Sequence, residues 1–349
     1  MKVTRRRALK MADLAKMAGV SKSTVSRALA GSELVNKDTR DLIKKLAVEH
    51  NYRINTRARD LFLQNTLTVA VLLPSANRGD WQISDPFFLE LLGGIAEAIN
   101  EQGHQLLLAK THAQSGNWIA DFIDTNSPDG VILIGQGAQH EKINDIATSY
   151  KALSVWGAKV EDEQLYPTVG SDNELGGYKA TKHLIEQGRK RIVFLGYTSL
   201  PEIKLRYAGY HRALAEAGIA IDENLERPAR HSKSAGYVST QQLIEEGVPF
   251  DAIFAVSDLF AMAAITALQE AGIRVPEDVA VVGYDDIAIS AFYNPPLTSI
   301  RQDRMEGGRL LVENLLTAIA GGEPESKTLE TELIVRKSSG GKLEKPLVR

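Results

Sequence analysis

The chain has 349 residues, no cysteine and a formal net charge of −3, which excludes a disulfide framework, a thiolate metal site and a cysteine nucleophile. The total hides a division: residues 1–65 hold 15 lysines and arginines against 6 acids, net +9, whereas the other 284 residues hold 26 against 38, net −12. A small basic head on an acidic body points to a nucleic-acid-binding module joined to something else.

In the head, Met11, Leu14, Ala15 and Ala18 recur at helical spacing and predict one apolar helix face. Gly19 is free to end that helix, and Ser21 can cap the next by accepting a bond from an open backbone N–H. The second helix spans Lys22 to Leu29, with Val25, Ala28 and Leu29 inward and Lys22, Ser23, Ser26 and Arg27 outward. A short helix, a glycine turn and a second helix with a basic outer face read as a helix-turn-helix or as a plain αα-hairpin. A third helix starts at Lys37 or Asp38, with Leu42, Ile43, Leu46 and Ala47 as its core stripe.

GVSKSTVSRALAG, VNKDTRDLIKKLAVEHNYRIN and TRARDL together resemble the opening of the lactose-repressor/galactose-repressor (LacI/GalR) family of bacterial transcription regulators. The resemblance implies that Lys22 and Ser23 choose bases and that Arg27 reaches a base edge, most naturally guanine. Ser26 shares their outer face. It implies that Ser21, Thr24, Asn36 and Arg40 hold phosphates, which set register without reading sequence. The following stretch, Asn55 to Leu63, would become a hinge helix on specific DNA, with Asn55, Ala58 and Leu61 at the minor groove and Leu61 wedged between base steps. The family often has proline before the hinge asparagine; here it is Ile54, so a less rigid linker is expected.

From Thr66 the texture changes. LTVAVLLP (67–74) reads as a buried strand, and Phe88, Leu91, Leu92, Ile95, Ala96 and Ile99 as a helix face. HQLLLAK, DGVILIG and LSVWG follow as strands. A helix from Glu174 to Gln187 leads to the strand RIVFLG; Lys204 to Ala217 is helix, AIFAVSD strand, Asp258 to Ala271 helix and VAVVGYDD strand. Such alternation predicts parallel sheets covered on both faces, and a body of this size two α/β lobes. Ligands sit beyond the carboxyl ends of strands in such sheets. That rule selects Asp285 and Asp286, Ser257 and Asp258, Trp156, and the helix start at Asp85, Phe87 and Phe88. Carboxylates and rings suit a sugar, although Asp258 can equally cap its helix and the aromatics can equally be core.

The resemblance extends through the body and implies a two-lobed sensor of the periplasmic-binding-protein type. By it, Arg206 in KLRYAGYHRAL grips the effector, Asp285 in VVGYDD is its carboxylate partner, and Phe87 and Phe88 line the cleft. Ser257 stands where many members place asparagine. His231 lies near a position where relatives place a ring, and Gln302 lies at a crossover within reach of ligand. The implied organisation is a DNA-binding domain at 1–54, a hinge at 55–66, an effector and dimerisation domain at 67–340, and a tail at 341–349. Within the body, lobe one spans 67–170 and 304–329, and lobe two 171–302 and 330–340. Two half-sites require two heads. Only thirteen residues follow Arg336, too few for a heptad-based tetramer segment, so a homodimer is expected.

Two other classes compete. A transport binding protein is disfavoured by the basic head and by Lys10, Asp13 and Lys16, which interrupt any signal-peptide core. No run of eighteen apolar residues exists to span a membrane. An enzyme is disfavoured because no P-loop, G-x-S-x-G or paired-histidine motif occurs, and Gly135-Gln136-Gly137 is too short for a phosphate fingerprint. The expectation is a cytoplasmic, sugar-responsive DNA-binding regulator acting as a repressor, without enzymatic activity, metal or cofactor.

Overall fold

The computed structural model describes residues 9–29, 32–50, 52, 67–75, 84–112, 117–137, 139–160, 164–228 and 234–340, in two compact units divided between Thr66 and Leu67. The hinge positions Asn55, Ala58 and Leu61, and His231, lie outside the described residues.

The head holds three helices: α1 (Met11–Met17), α2 (Lys22–Leu29) and α3 (Lys37–Glu49). Gly19 takes a φ of +66° in the first turn, where a side chain would be strained. Ser21 Oγ accepts the Thr24 amide at 3.1 Å and so caps α2. Asn36 Oδ1 accepts from Asp38 and Thr39 and caps α3. Leu14, Ala15, Val25, Ala28, Val35, Ile43 and Ala47 form the core, with Leu29 and Leu46 half-buried against it. Leu42, expected inside, is 46 % exposed. It stands one residue before Ile43, about 100° round the helix, and a core this small has room for only one of the two.

The body contains two six-stranded sheets. The first has the order β11-β5-β4-β3-β1-β2, built from β1 (Thr68–Ser75), β2 (Gln105–His112), β3 (Gly130–Ile134), β4 (Leu153–Trp156), β5 (Thr168–Ser171) and β11 (Lys327–Leu329). The second has the order β12-β10-β9-β8-β6-β7, from β6 (Ile192–Leu195), β7 (Glu226–Arg227), β8 (Ala252–Ala255), β9 (Ala280–Asp285), β10 (Thr298–Arg301) and β12 (Glu332–Ile334). All pairings are parallel except β10 with β12. The central strands are apolar and buried on both faces, as helix-covered parallel strands must be.

Helices α4 (Pro86–Glu101), α5 (Trp118–Asn126), α6 (His140–Ser149) and α11 (Arg304–Ile319) accompany the first sheet. Helices α7 (Asn173–Glu186), α8 (Pro201–Glu216), α9 (Ala235–Glu245) and α10 (Asp258–Glu270) accompany the second. Asp85, Asp172, Ser257 and Asp303 cap the helices that start at the strands' carboxyl ends. The chain passes between sheets after β5, after β10 and after β11.

Helices α7 and α8 touch backbone to backbone. A Cβ on Gly177 would overlap the Arg206 carbonyl, and one on Gly209 the Glu174 carbonyl. This close approach fixes where α8 points Arg206. Gly209→Ala should therefore lower the stability of the chain by about 1–3 kcal/mol, the usual cost of overpacking. Chemical denaturation checks this, and an unchanged midpoint would show that the two helices separate freely.

Candidate functional site

A cleft of about 610 Å³ opens where the carboxyl ends of both sheets meet. It is lined from the first sheet by Leu73, Ile134, Gly135, Trp156, Gly157, Gly170 and Ser171, and from the second by Val256, Ser257 and Asp285. Helix starts supply Asp85, Phe87, Phe88, Asn173, Glu202, Arg206 and Phe260, and the crossover supplies Gln302. Seven of the eight expected effector residues thus come together: Phe87, Phe88, Trp156, Arg206, Ser257, Asp285 and Gln302. The eighth, His231, lies outside the described residues.

The aromatic wall is a packed group. Phe87 meets Phe88 edge-on at 5.5 Å and Trp156 at 6.0 Å. All three rings are more than nine-tenths buried, so they serve as core and as cleft wall together.

Arg206 is buried and closely held. Its Nε donates to Asn173 Oδ1 at 2.8 Å and its Nη1 to the Val256 carbonyl at 2.5 Å. Its guanidinium lies 3.6 Å from the Tyr284 ring centroid, a cation–π stack. Across the floor, Gln302 Nε2 donates to Asp285 Oδ1 at 2.7 Å. Burial raises the Asp285 carboxyl well above the usual range, and Arg206 opposes that shift.

Asp285 and Asp286 sit at φ +109° and +51°, backbone regions that cost a non-glycine residue about 1–3 kcal/mol each and persist only when the surroundings impose them. Two buried groups do so. Asp258, fully buried, accepts the Ile287 amide at 2.9 Å and the Ser290 hydroxyl at 2.6 Å. Its other oxygen accepts the Ser299 hydroxyl at 2.5 Å, and that hydroxyl accepts the Asp286 amide at 3.0 Å. Arg304 holds the other side: Nη1 donates to the Asp285 carbonyl and Nη2 to the Asp286 carbonyl. Arg304 also pairs with Glu90 of α4 at 2.6 Å. Asp258 is therefore not the helix cap that the sequence allows. Ser257 caps α10, accepting the Phe260 amide at 3.4 Å, while Asp258 turns inward to the β9 turn.

Sequence reasoning missed Asn173, Glu202, Glu90 and Arg304. Asn173 and Glu202 open helices after β5 and β6, so the strand-end rule reaches them once those strands are recognised. Glu202 is half-buried, and burial raises its carboxyl above the usual range against the pull of Arg206. Among the described residues no cluster of three His, Asp or Glu side chains could hold a metal ion.

In the head, Lys22, Ser23 and Arg27 are exposed and Ser26 half-exposed on one face of α2. Ser21 Oγ lies 2.7 Å from Ser23 Oγ and 2.8 Å from Thr24 Oγ1, which fixes the turn that opens the helix. Arg40 donates to the Ser32 carbonyl at 3.4 Å, tying α3 to the loop after α2.

Residues 10–55 match the family described as bacterial regulatory proteins, lacI family, and residues 181–339 the periplasmic binding protein-like domain. The HTH-type transcriptional regulator CelR of Thermobifida fusca is 34% identical over 348 residues, 96% of this chain and 99% of that protein. A solved CelR–cellobiose complex is similar at TM-score 0.71 and 32% identity, covering 95% of this chain and 99% of the other. A lac repressor dimer bound to operator and an anti-inducer reaches TM-score 0.82 at 26% identity, over 95% and 99%.

Burial lifts the Asp258 carboxyl from 3.8 to about 7, against the pull of its hydroxyl and amide donors. A raised folded value means that the stability held at pH 3.8 is lost as pH rises to about 7 and is level above it. Asp258→Asn should flatten part of that slope when the denaturation midpoint is followed across the interval, the remainder belonging to Asp285 and Glu202, whose carboxyls burial also raises. A slope unchanged by the substitution would remove Asp258 from the groups that produce it.

Proposed function

Because the chain belongs to the lacI family of bacterial regulatory proteins, we propose that it is a repressor whose grip on DNA is set by a sugar held between its two lobes. The observation that carries this reading is the joining of two devices in one chain. One is an exposed basic helix face in the head, and the other is a cleft walled by rings and carrying an arginine and a buried carboxylate. The chain acts in the cytoplasm, where the chromosome lies, and among the described residues no helix is long and apolar enough to cross a membrane. It catalyses no reaction on what it binds.

We assign residues 1–54 to DNA binding, 55–66 to the hinge and 67–340 to the sensor. Lys22, Ser23, Ser26 and Arg27 read bases; Ser21, Thr24, Asn36 and Arg40 place phosphates; Asn55, Ala58 and Leu61 engage the minor groove. Two heads read one near-palindromic operator, so the working form is a homodimer.

In the cleft, Arg206 and Asp285 take the sugar hydroxyls, Gln302 orients Asp285, and Phe87, Phe88 and Trp156 cover the ring face. Ser257 adds to the lining, and His231 is assigned to the same effector set. Cellobiose, the ligand of the CelR complex, is the first sugar to test. At 100 times its Kd a bound ligand adds about 2.7 kcal/mol to the stability of the unit it binds, which a thermal melt reads directly.

Two substitutions separate the two devices. Arg27→Ala should cost about 1–3 kcal/mol on a duplex selected from a random pool, with little loss on bulk DNA. An equal loss on both would make Arg27 a phosphate contact. Arg206→Ala should abolish the effect of the sugar on duplex binding and leave sugar-free binding intact, measured by fluorescence anisotropy. A sugar response that persists would remove Arg206 from the site.

A further inference from the structure

We propose that Glu202 makes the cleft select an uncharged polyol and reject its phosphorylated or carboxylated counterparts. The inference rests on the sugar-binding reading above and narrows it. Among the described residues the cleft wall carries four charged side chains, the acids Asp85, Glu202 and Asp285 and the single cation Arg206.

That cation is largely committed. Its Nε and Nη1 are bonded to Asn173 and Val256, its face covers Tyr284, and its charge offsets the buried Asp285. Asp85 is occupied as the cap of α4, accepting the Phe87 amide at 3.0 Å.

Glu202 is different. It enters the cleft from α8 one turn ahead of Arg206. Among the described residues no side chain donates a hydrogen bond to it. The nearby Tyr166 hydroxyl is engaged with Gln136 at 3.0 Å and with His140 at 2.8 Å.

A carboxylate accepts hydrogen bonds and cannot donate them. A sugar hydroxyl supplies the donor that Glu202 lacks, and the same hydroxyl oxygen accepts from a neighbouring group. A phosphate dianion brings acceptors only, so acceptor would face acceptor in a partly desolvated site. Like charges at that range also repel more strongly than in water. Among the described residues the first-sheet side offers no compensating charge: Gly135, Gly137, Gly157 and Gly170 present backbone there.

The test is calorimetric titration at neutral pH with cellobiose and with cellobiose phosphorylated on its 6′ hydroxyl. Wild-type protein should bind cellobiose at least about tenfold more tightly than the phosphate, ~1.4 kcal/mol. Glu202→Gln should close most of that gap, and Glu202→Asp, which keeps the charge, should preserve it. Equal binding of the two sugars by wild type, or a gap left intact by Glu202→Gln, overturns the role of Glu202. Binding of neither sugar by wild type overturns the reading of the cleft as a cellobiose site, and this inference with it.

Discussion

Two consecutive aspartates in left-handed backbone are the constraint on which the body's site depends. Asp285 cannot face the cleft from an ordinary strand end, because β9 would carry its side chain toward a sheet face. The turn at φ +109° and +51° redirects it, and such backbone costs a non-glycine residue about 1–3 kcal/mol unless its surroundings impose it. The hold comes from outside: Asp258 gathers the amides of residues 286 and 287, one through Ser299, and Arg304 gathers the carbonyls of residues 285 and 286. The amides of residues 286 and 287 and the carbonyls of residues 285 and 286 are thereby satisfied, which is what permits this backbone to be buried.

The same hold joins the two lobes. Asp258 begins a helix on the second sheet, whereas Glu90 lies on α4 beside the first. Glu90 takes Arg304 at 2.6 Å and the Ala288 amide at 3.4 Å. Arg304 therefore touches the turn that presents Asp285 and the helix that carries Phe87 and Phe88. A ligand bridging Asp285 and the ring wall loads both ends of this connection. A ligand can shift an arrangement only through its different affinity for the alternatives. A thousandfold change in DNA affinity requires about 4 kcal/mol of such coupling. The half-exposed Glu90–Arg304 pair and the strained turn that Arg304 holds are thus one connected set of contacts.

Much of this was legible from residue order. The basic head, its two short helices and Arg27 on an outer face follow from charge and 3.6-residue spacing, and the long strands of the body from apolar runs. Seven cleft residues were reachable from motif resemblance together with the rule that ligands lie at strand ends. The rest was hidden for physical reasons. Strands of two to four residues such as β7, β10, β11 and β12 carry too little pattern to be seen, so Arg304 could not be placed. Asp258 and Ser257 are both good caps, and only the inward turn of one carboxylate toward residues 287, 290 and 299 decides between them. Leu42 and Ile43 are equally apolar, and packing around a small core chose the second. Glu202 reads as an ordinary acid in a helix's first turn until the opposite lobe is set against it.

The most direct test of the account is the coupling carried by Glu90. Binding of the sugar that stabilises the protein in the thermal melt is measured by calorimetry, and its effect on affinity for the selected duplex by anisotropy, in wild type and Glu90→Gln. Glu90 does not line the sugar cleft, and glutamine keeps an acceptor while losing the charge that holds Arg304. The variant should bind that sugar within about threefold of wild type, a difference below 1 kcal/mol, yet lose most of the sugar's effect on the duplex. A variant in which sugar binding and sugar response are both unchanged would contradict it and place the transmission between lobes elsewhere.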